Sequence, residues 1–111
     1  MLNQIELVGR LTEDPEIKSL ESGKRVSDLI LAVPRSWKNA DGIYEIDFIP
    51  FKVWNTLADK VKEYCHKGDM VGIKGRLQMI TIGETNKQKL EVVAEKVTFL
   101  KSSKSKDKSI K

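Results

Sequence analysis

Hydrophobic residues recur along this chain at two different spacings, and the changes of spacing mark its elements. Ile5, Leu7, Val8 and Leu11 form a short apolar run, IELVGRL, that reads as a first strand. It ends in TEDPEIK, where Pro15 fixes φ and the preceding Asp14 favours a turn. ESGK, residues 21–24, is a second turn signal. VSDLILAV follows it as a strand with Leu29, Leu31 and Val33 on one face. PRSWKNADGI, punctuated by Pro34, Asn39, Asp41 and Gly42, predicts a long exposed hairpin loop. The returning strand is EIDFIPFKVW, Glu45 to Trp54, rich in β-branched and aromatic residues. Alternation puts Asp47, Ile49, Phe51 and Val53 on one face and Ile46, Phe48, Pro50, Lys52 and Trp54 on the other. The first set suits a core with a polar entry. The second mixes aromatics with a lysine and a proline, which a sealed interior would not choose.

The spacing then becomes helical at Leu57, Ala58, Val61, Tyr64 and Cys65. Asn55 or Thr56 is placed to cap this helix, with Asp59 in capping-box-like spacing to Thr56, and Gly68 is placed to end it. DMVGIKGRLQMITI is strand-like, and its interior Gly72 and Gly75 predict a bulge or sharp bend. GETNK turns the chain into QKLEVVAEKVTFL, a last strand or strand pair. Short strands with one helix among them predict an all-β fold. The expected form is a five-stranded OB-fold barrel with one α-helix between the third and fourth strands. Residues 1–100 are expected to form one domain. KSSKSKDKSIK, residues 101–111, reads as a disordered Lys/Ser-rich tail.

Composition adds bounds. A chain of 111 residues with 40% hydrophobic content supports one modest core. It contains no apolar run long enough to span a bilayer as a helix, and MLNQIELVGRL lacks the pattern of a signal peptide. Its one cysteine, Cys65, suits a reducing compartment. The expectation is therefore a soluble, cytoplasmic protein without membrane association. The net charge of +4 resides in residues 101–111, which hold five lysines and one aspartate, leaving 15 basic and 15 acidic residues in 1–100. Any case for polyanion binding must rest on where those charges sit.

Catalytic readings fall short. His66 is the one histidine, so no multi-histidine metal site or histidine pair can form, and no cofactor is implied. Cys65 and His66 are neighbours on a helix and point in different directions, which defeats a thiol–imidazole pair. VGIKGRL lacks the spacing and the terminal Lys-Ser/Thr of a phosphate loop. Single-stranded nucleic acid makes a different demand: aromatic platforms for bases with cations between them for phosphates. Lys52 lies between Phe48 and Trp54 on one strand face, and Trp37 is bracketed by Arg35 and Lys38. The competing use of these residues is structural, with Phe48 and Trp54 in the core, Trp37 anchoring a loop and Lys52 an ordinary surface lysine.

LNQIELVGRLTEDPEIK resembles the opening of the bacterial single-stranded DNA-binding proteins. SDLILAV, DFIPFKVWNTLAD, KGDMVGIKGRL and LEVVAEKVTFL match later blocks of that family in the same order, so the resemblance covers residues 1 to about 100. It implies an OB barrel, usually a homotetramer, that binds single-stranded DNA without catalysis in replication, recombination or DNA uptake. Trp37, Phe48 and Trp54 fall at family positions whose rings stack on bases. Lys18, Lys67 and Arg76 fall where basic residues are common. Lys52 belongs to the DNA face by strand parity alone. The first strand, around Asn3 to Leu7, would pair with its counterpart to form a dimer.

Several positions depart from the family pattern. Ile82 stands where an aromatic is common, and Gln78 and Ile80 lie near positions where arginines are common. Pro50 removes a backbone donor in mid-strand, which predicts an edge or a bulge. Residues 101–111 are basic where the family carries an acidic tip, so recruitment of repair proteins by such a tip is not expected. These lysines could instead add phosphate contacts. The apolar MITI segment motivates a rival reading, a primosome-type OB-fold accessory protein acting mainly through protein partners. A third is an OB module that only oligomerises.

Overall fold

The computed structural model describes residues 1–103. Its elements are β1 (Ile5–Leu11), β2 (Lys18–Ser19), β3 (Arg25–Lys38), β4 (Tyr44–Trp54), α1 (Asn55–Tyr64), β5 (Met70–Ile82) and β6 (Lys87–Lys101). The sheet order is β1-β5-β6-β4-β3-β2, and a further β1–β3 pairing closes the five long strands into an OB-type barrel. The two-residue β2 flanks β3. The helix lies between β4 and β5, the third and fourth long strands, as the change of spacing predicts.

Closure is possible because β1 changes partner along its length. Ile5 to Arg10 pair antiparallel with β5, and Arg10 and Leu11 pair with Ala32 and Leu31 of β3. Gly9 lies where β1 crosses β3, and a Cβ there would collide with the Ala32 carbonyl. Gly75 does the same for β5 against β6, where a Cβ would collide with the Val93 carbonyl beside a register shift. The expected bulge is therefore at Gly75, and Gly72 has ordinary room around it. Inside the barrel, Leu29, Leu31, Phe51, Val53, Val71, Ile73 and Val92 pack with Ala58 and Val61 of the helix and Cys65 just beyond its end. The inner face of β4 is the predicted one: Phe51 and Val53 are buried, with Ile49 half-buried against them.

Three local expectations are corrected. First, PRSWKNADGI is not a long loop. β3 runs on through Lys38 and pairs with Tyr44, with a register shift between Pro34 and Lys38, so the connection shrinks to residues 39–43. The Asn39 side-chain carbonyl accepts from the Asp41 and Ile43 amides, and Gly42 takes a φ of 77°. Trp37 is thus on a strand of a projecting two-stranded arm. Second, neither Asn55 nor Thr56 caps the helix through its side chain. The cap position is Trp54, Asn55 has a φ of 53°, and its Oδ1 accepts from the Arg25 amide of β3 at 3.0 Å. Asp59 takes the Arg25 guanidinium through both oxygens, at 3.1 and 2.7 Å. A cross-strand partner has outcompeted the local cap at both side chains. Third, the helix ends at Tyr64, before Gly68. Gly68 turns the chain back instead, with a φ of 88° and its amide donated to the Leu11 carbonyl at 2.8 Å.

Pro50 sits in an unbroken part of the β3–β4 ladder, opposite Ile30. The Ile30 carbonyl accepts from the Thr12 amide, which turns the backbone polar groups of Ile30 toward β1. The Ile30–Pro50 pair is therefore a non-hydrogen-bonded one, and the proline nitrogen faces away from β3. β6 joins β4 only from Phe51 onward, so the missing donor lies on an open edge. At the far end of the chain, β6 includes Lys101, and the Ser103 amide donates to Asp69 at 3.0 Å. The remainder of the Lys/Ser-rich tail, residues 104–111, lies outside the described residues. No helix among the described residues is long and apolar enough to cross a membrane.

Candidate nucleic-acid interface

The outward row of β4 is built by strand parity. Tyr44, Ile46 and Phe48 are 52%, 50% and 64% exposed, while Lys52 and Trp54 are half-buried. On the arm, Trp37 is 67% exposed, too open to be a core or loop anchor. The structural alternative for Phe48 fails likewise, since a ring so exposed fills no interior. Trp54 stands between the two uses. It lines a groove of about 510 Å³ with Arg76, Gln78, Lys24 and the start of the helix. The structure thus brings Trp54 and Arg76 to one groove from β4 and β5.

A second groove, about 360 Å³, opens where β4 and β6 diverge. Its wall carries Lys52, Asp28 and Glu91, with Lys89 and Leu90 from β6 and Ile30 and Pro50 alongside. Lys52 Nζ lies 2.6 Å from Asp28 Oδ1 and 3.9 Å from Glu91, whose side chain is almost fully buried and also accepts from Gln78. Lys18 reaches the other Asp28 oxygen at 3.1 Å. The Lys52 hydrogen bond holds the Asp28 carboxyl below its ordinary range, with Lys18 adding to it against partial burial.

The other cations have partners too. Arg35 binds both oxygens of Asp47 at 3.1 and 3.0 Å and Glu45 at 2.8 Å, bracing the two strands of the arm. That bond depresses the Asp47 carboxyl and raises the Arg35 guanidinium further above its usual value. Arg76 donates to Gln78 at 2.7 Å and lies 3.5 Å from Glu95. Lys38 lies over the Tyr44 ring, 5.6 Å from its centre. Lys67 belongs to a different cluster, in the turn before β5, where its amide donates to Asp14 at 2.8 Å. Neither the Lys38 nor the Lys67 ammonium is ion-paired with a carboxylate among the described residues. Strand alternation alone did not show Asp28 and Glu91 as the partners of the lysines on this face, nor Glu45 and Asp47 as the partners of Arg35 on the opposite parity of β4. It also passed over Tyr44, one step beyond the predicted strand on the same parity.

A barrel of this topology with solvent-exposed aromatics along one strand face and its arm narrows the possibilities, and comparison with known sequences decides among them. The profile of the Single-strand binding protein family matches residues 2–100. The chain belongs to that family. Single-stranded DNA-binding protein B of Bacillus subtilis (strain 168) is 40% identical over 103 residues, covering 90% of this chain and 91% of the relative. Single-stranded DNA-binding protein 2 of Staphylococcus aureus (strain Mu50 / ATCC 700699) is 45% identical over 103 residues, covering 90% and 73%. A Staphylococcus aureus (strain MRSA252) Single-stranded DNA-binding protein is 42% identical over 110 residues, covering 96% and 70%. The family match therefore spans the whole barrel, including the arm and the β5–β6 hairpin.

Proposed function

We propose that this protein binds single-stranded DNA without catalysis and with little regard to sequence, as a packaging protein in replication, recombination or repair. The observation that carries the reading is the pair of large aromatics, Trp37 and Phe48, held in solvent on one arm and strand of a family-typical barrel. An exposed apolar ring is costly unless a ligand covers it, and nucleobases are flat partners for such rings. Trp37, Phe48 and Trp54 would stack bases. Lys18, Arg35, Lys38, Lys52, Lys67 and Arg76 would supply phosphate contacts, with Arg35 also bracing the arm. The barrel is taken to be the DNA-binding domain, and the protein to work in the cytoplasm as a homo-oligomer, most simply a tetramer. The open part of the β1 edge, over residues 5–9, is the natural place for a second copy to pair. The primosome-type reading is not favoured, because the matched relatives are named for single-stranded DNA binding.

The test uses the protein's two tryptophans. Titration with oligo(dT) should quench their fluorescence saturably, and Trp37→Ala should remove much of that quenching. Absence of both quenching and binding at low salt would reject the stacking platform.

A further inference from the structure

Lys18, Asp28, Lys52 and Glu91 form an alternating chain of charge across β2, β3, β4 and β6, beside the outward aromatics. Its centre is Asp28. One carboxylate oxygen meets Lys18 Nζ at 3.1 Å and the other meets Lys52 Nζ at 2.6 Å. Two ammonium groups thus converge on the two oxygens of a single anion. A phosphodiester offers the same pair of charged oxygens, and it is the ligand lysines on such a face would otherwise meet.

Structural need does not explain this arrangement well. The Asp28 side chain is 45% exposed and that of Lys18 70% exposed, and ion pairs so open to water add little to stability. Lys52 is held independently by Glu91, 3.9 Å away. Asp28 also has little freedom to withdraw, because the β3–β4 register sets it directly opposite Lys52. A phosphate reaching Lys52 therefore competes with this carboxylate for the ammonium and lies beside its negative charge.

We propose that Lys18 and Lys52 form one phosphate subsite, that Asp28 occupies it in the free protein, and that Asp28 thereby limits affinity for single-stranded DNA. This rests on the DNA-binding reading above. The subsite is then a unit rather than two separate contacts, and the negative charge of Asp28 reduces the number of counterions that binding releases.

The experiment compares the wild type with Asp28→Asn in oligo(dT) titrations over a salt series. Asn keeps the size of the side chain and removes its charge. Binding by Asp28→Asn should be about 3- to 10-fold tighter near 0.1 M salt. Its salt slope should be steeper by about 0.7, the contribution of one phosphate. The gain should vanish when Lys18 and Lys52 are both replaced by Gln. Asp28→Ser serves as a second neutral variant, and thermal melts check that each variant is folded. Equal or weaker binding by both neutral variants overturns the proposal, as does a gain that persists without the two lysines. If the wild type binds and the neutral variants bind no better, only this inference fails. If only the neutral variants bind, the inference stands and the activity of the unaltered chain is what fails. If none binds, both fail.

Discussion

Phe48 shows how far one residue can be read. Its parity on β4 faces it away from Phe51 and Val53, and at 64% exposure it contributes little to the core. Phe48→Ala should leave the urea midpoint nearly unchanged, within about 0.5 kcal/mol. Its affinity for oligo(dT) should fall by about 1–3 kcal/mol, the range general to sequence-tolerant single-strand binders. The carboxylates are a separate matter. Asp28, Asp47 and Asp59 are each held below their ordinary value of 3.8 by a bonded cation: Lys52 with Lys18, Arg35, and Arg25 respectively. Because the folded values are the lower ones, their stabilisation is fully present above 3.8 and is lost as pH falls through the depressed values. Their contribution to the melting temperature should be constant with pH near neutrality and decline below about pH 4. Asp59→Asn should shallow that acid decline. The faces of these residues were legible from alternation. Their pairings were not, because Asp59 and Arg25, or Asp28 and Lys18, meet only once strands are in register.

Among the elements, the strands and the helix follow the hydrophobic spacing closely, and the misjudged parts are ends and connections. The arm was hidden because Pro34, Asn39 and Gly42 all carry turn chemistry, yet a strand can continue through Pro34 when its neighbour β4 supplies the ladder. The helix start was misjudged because Asn55 and Asp59 both serve β3. A bulge was legible at Gly72 or Gly75, the structure puts it at Gly75, and the tightness of that site can be measured. Gly75→Ala should destabilise the fold by about 2–3 kcal/mol in urea unfolding, since the obstacle is the Val93 backbone and cannot rotate away. Asp69, 2% exposed, ties the turn after the helix to the end of β6 by accepting from the His66 and Ser103 amides. Asp69→Ala leaves those donors unpaired and should cost about 1–3 kcal/mol in the same assay.

At the scale of the whole molecule, charge balance governs binding. The aromatic parity of β4 carries the Asp28 ion pairs, and the Trp54 groove carries the Arg76–Glu95 pair, so the salt slope of DNA binding should be shallower than its tally of lysines and arginines implies. Truncation after Ser103 removes four lysines and one aspartate while keeping the Asp69–Ser103 bond. If those lysines meet phosphates, the truncated chain should bind oligo(dT) more weakly at low salt with a slope reduced by up to about 0.7 per lost contact. An unchanged slope would assign the contacts to the barrel alone. By itself the sequence determined the order of strands and helix, the two faces of β4, a bulge or bend within residues 72–75 and the aromatic positions. These follow from side-chain periodicity and backbone sterics, which act within a few residues. Only the tertiary structure decided which cations are bonded to carboxylates, how far the arm extends and where β1 exchanges β5 for β3. Those outcomes depend on register between strands remote in the chain, and a register is fixed by the packed barrel as a whole.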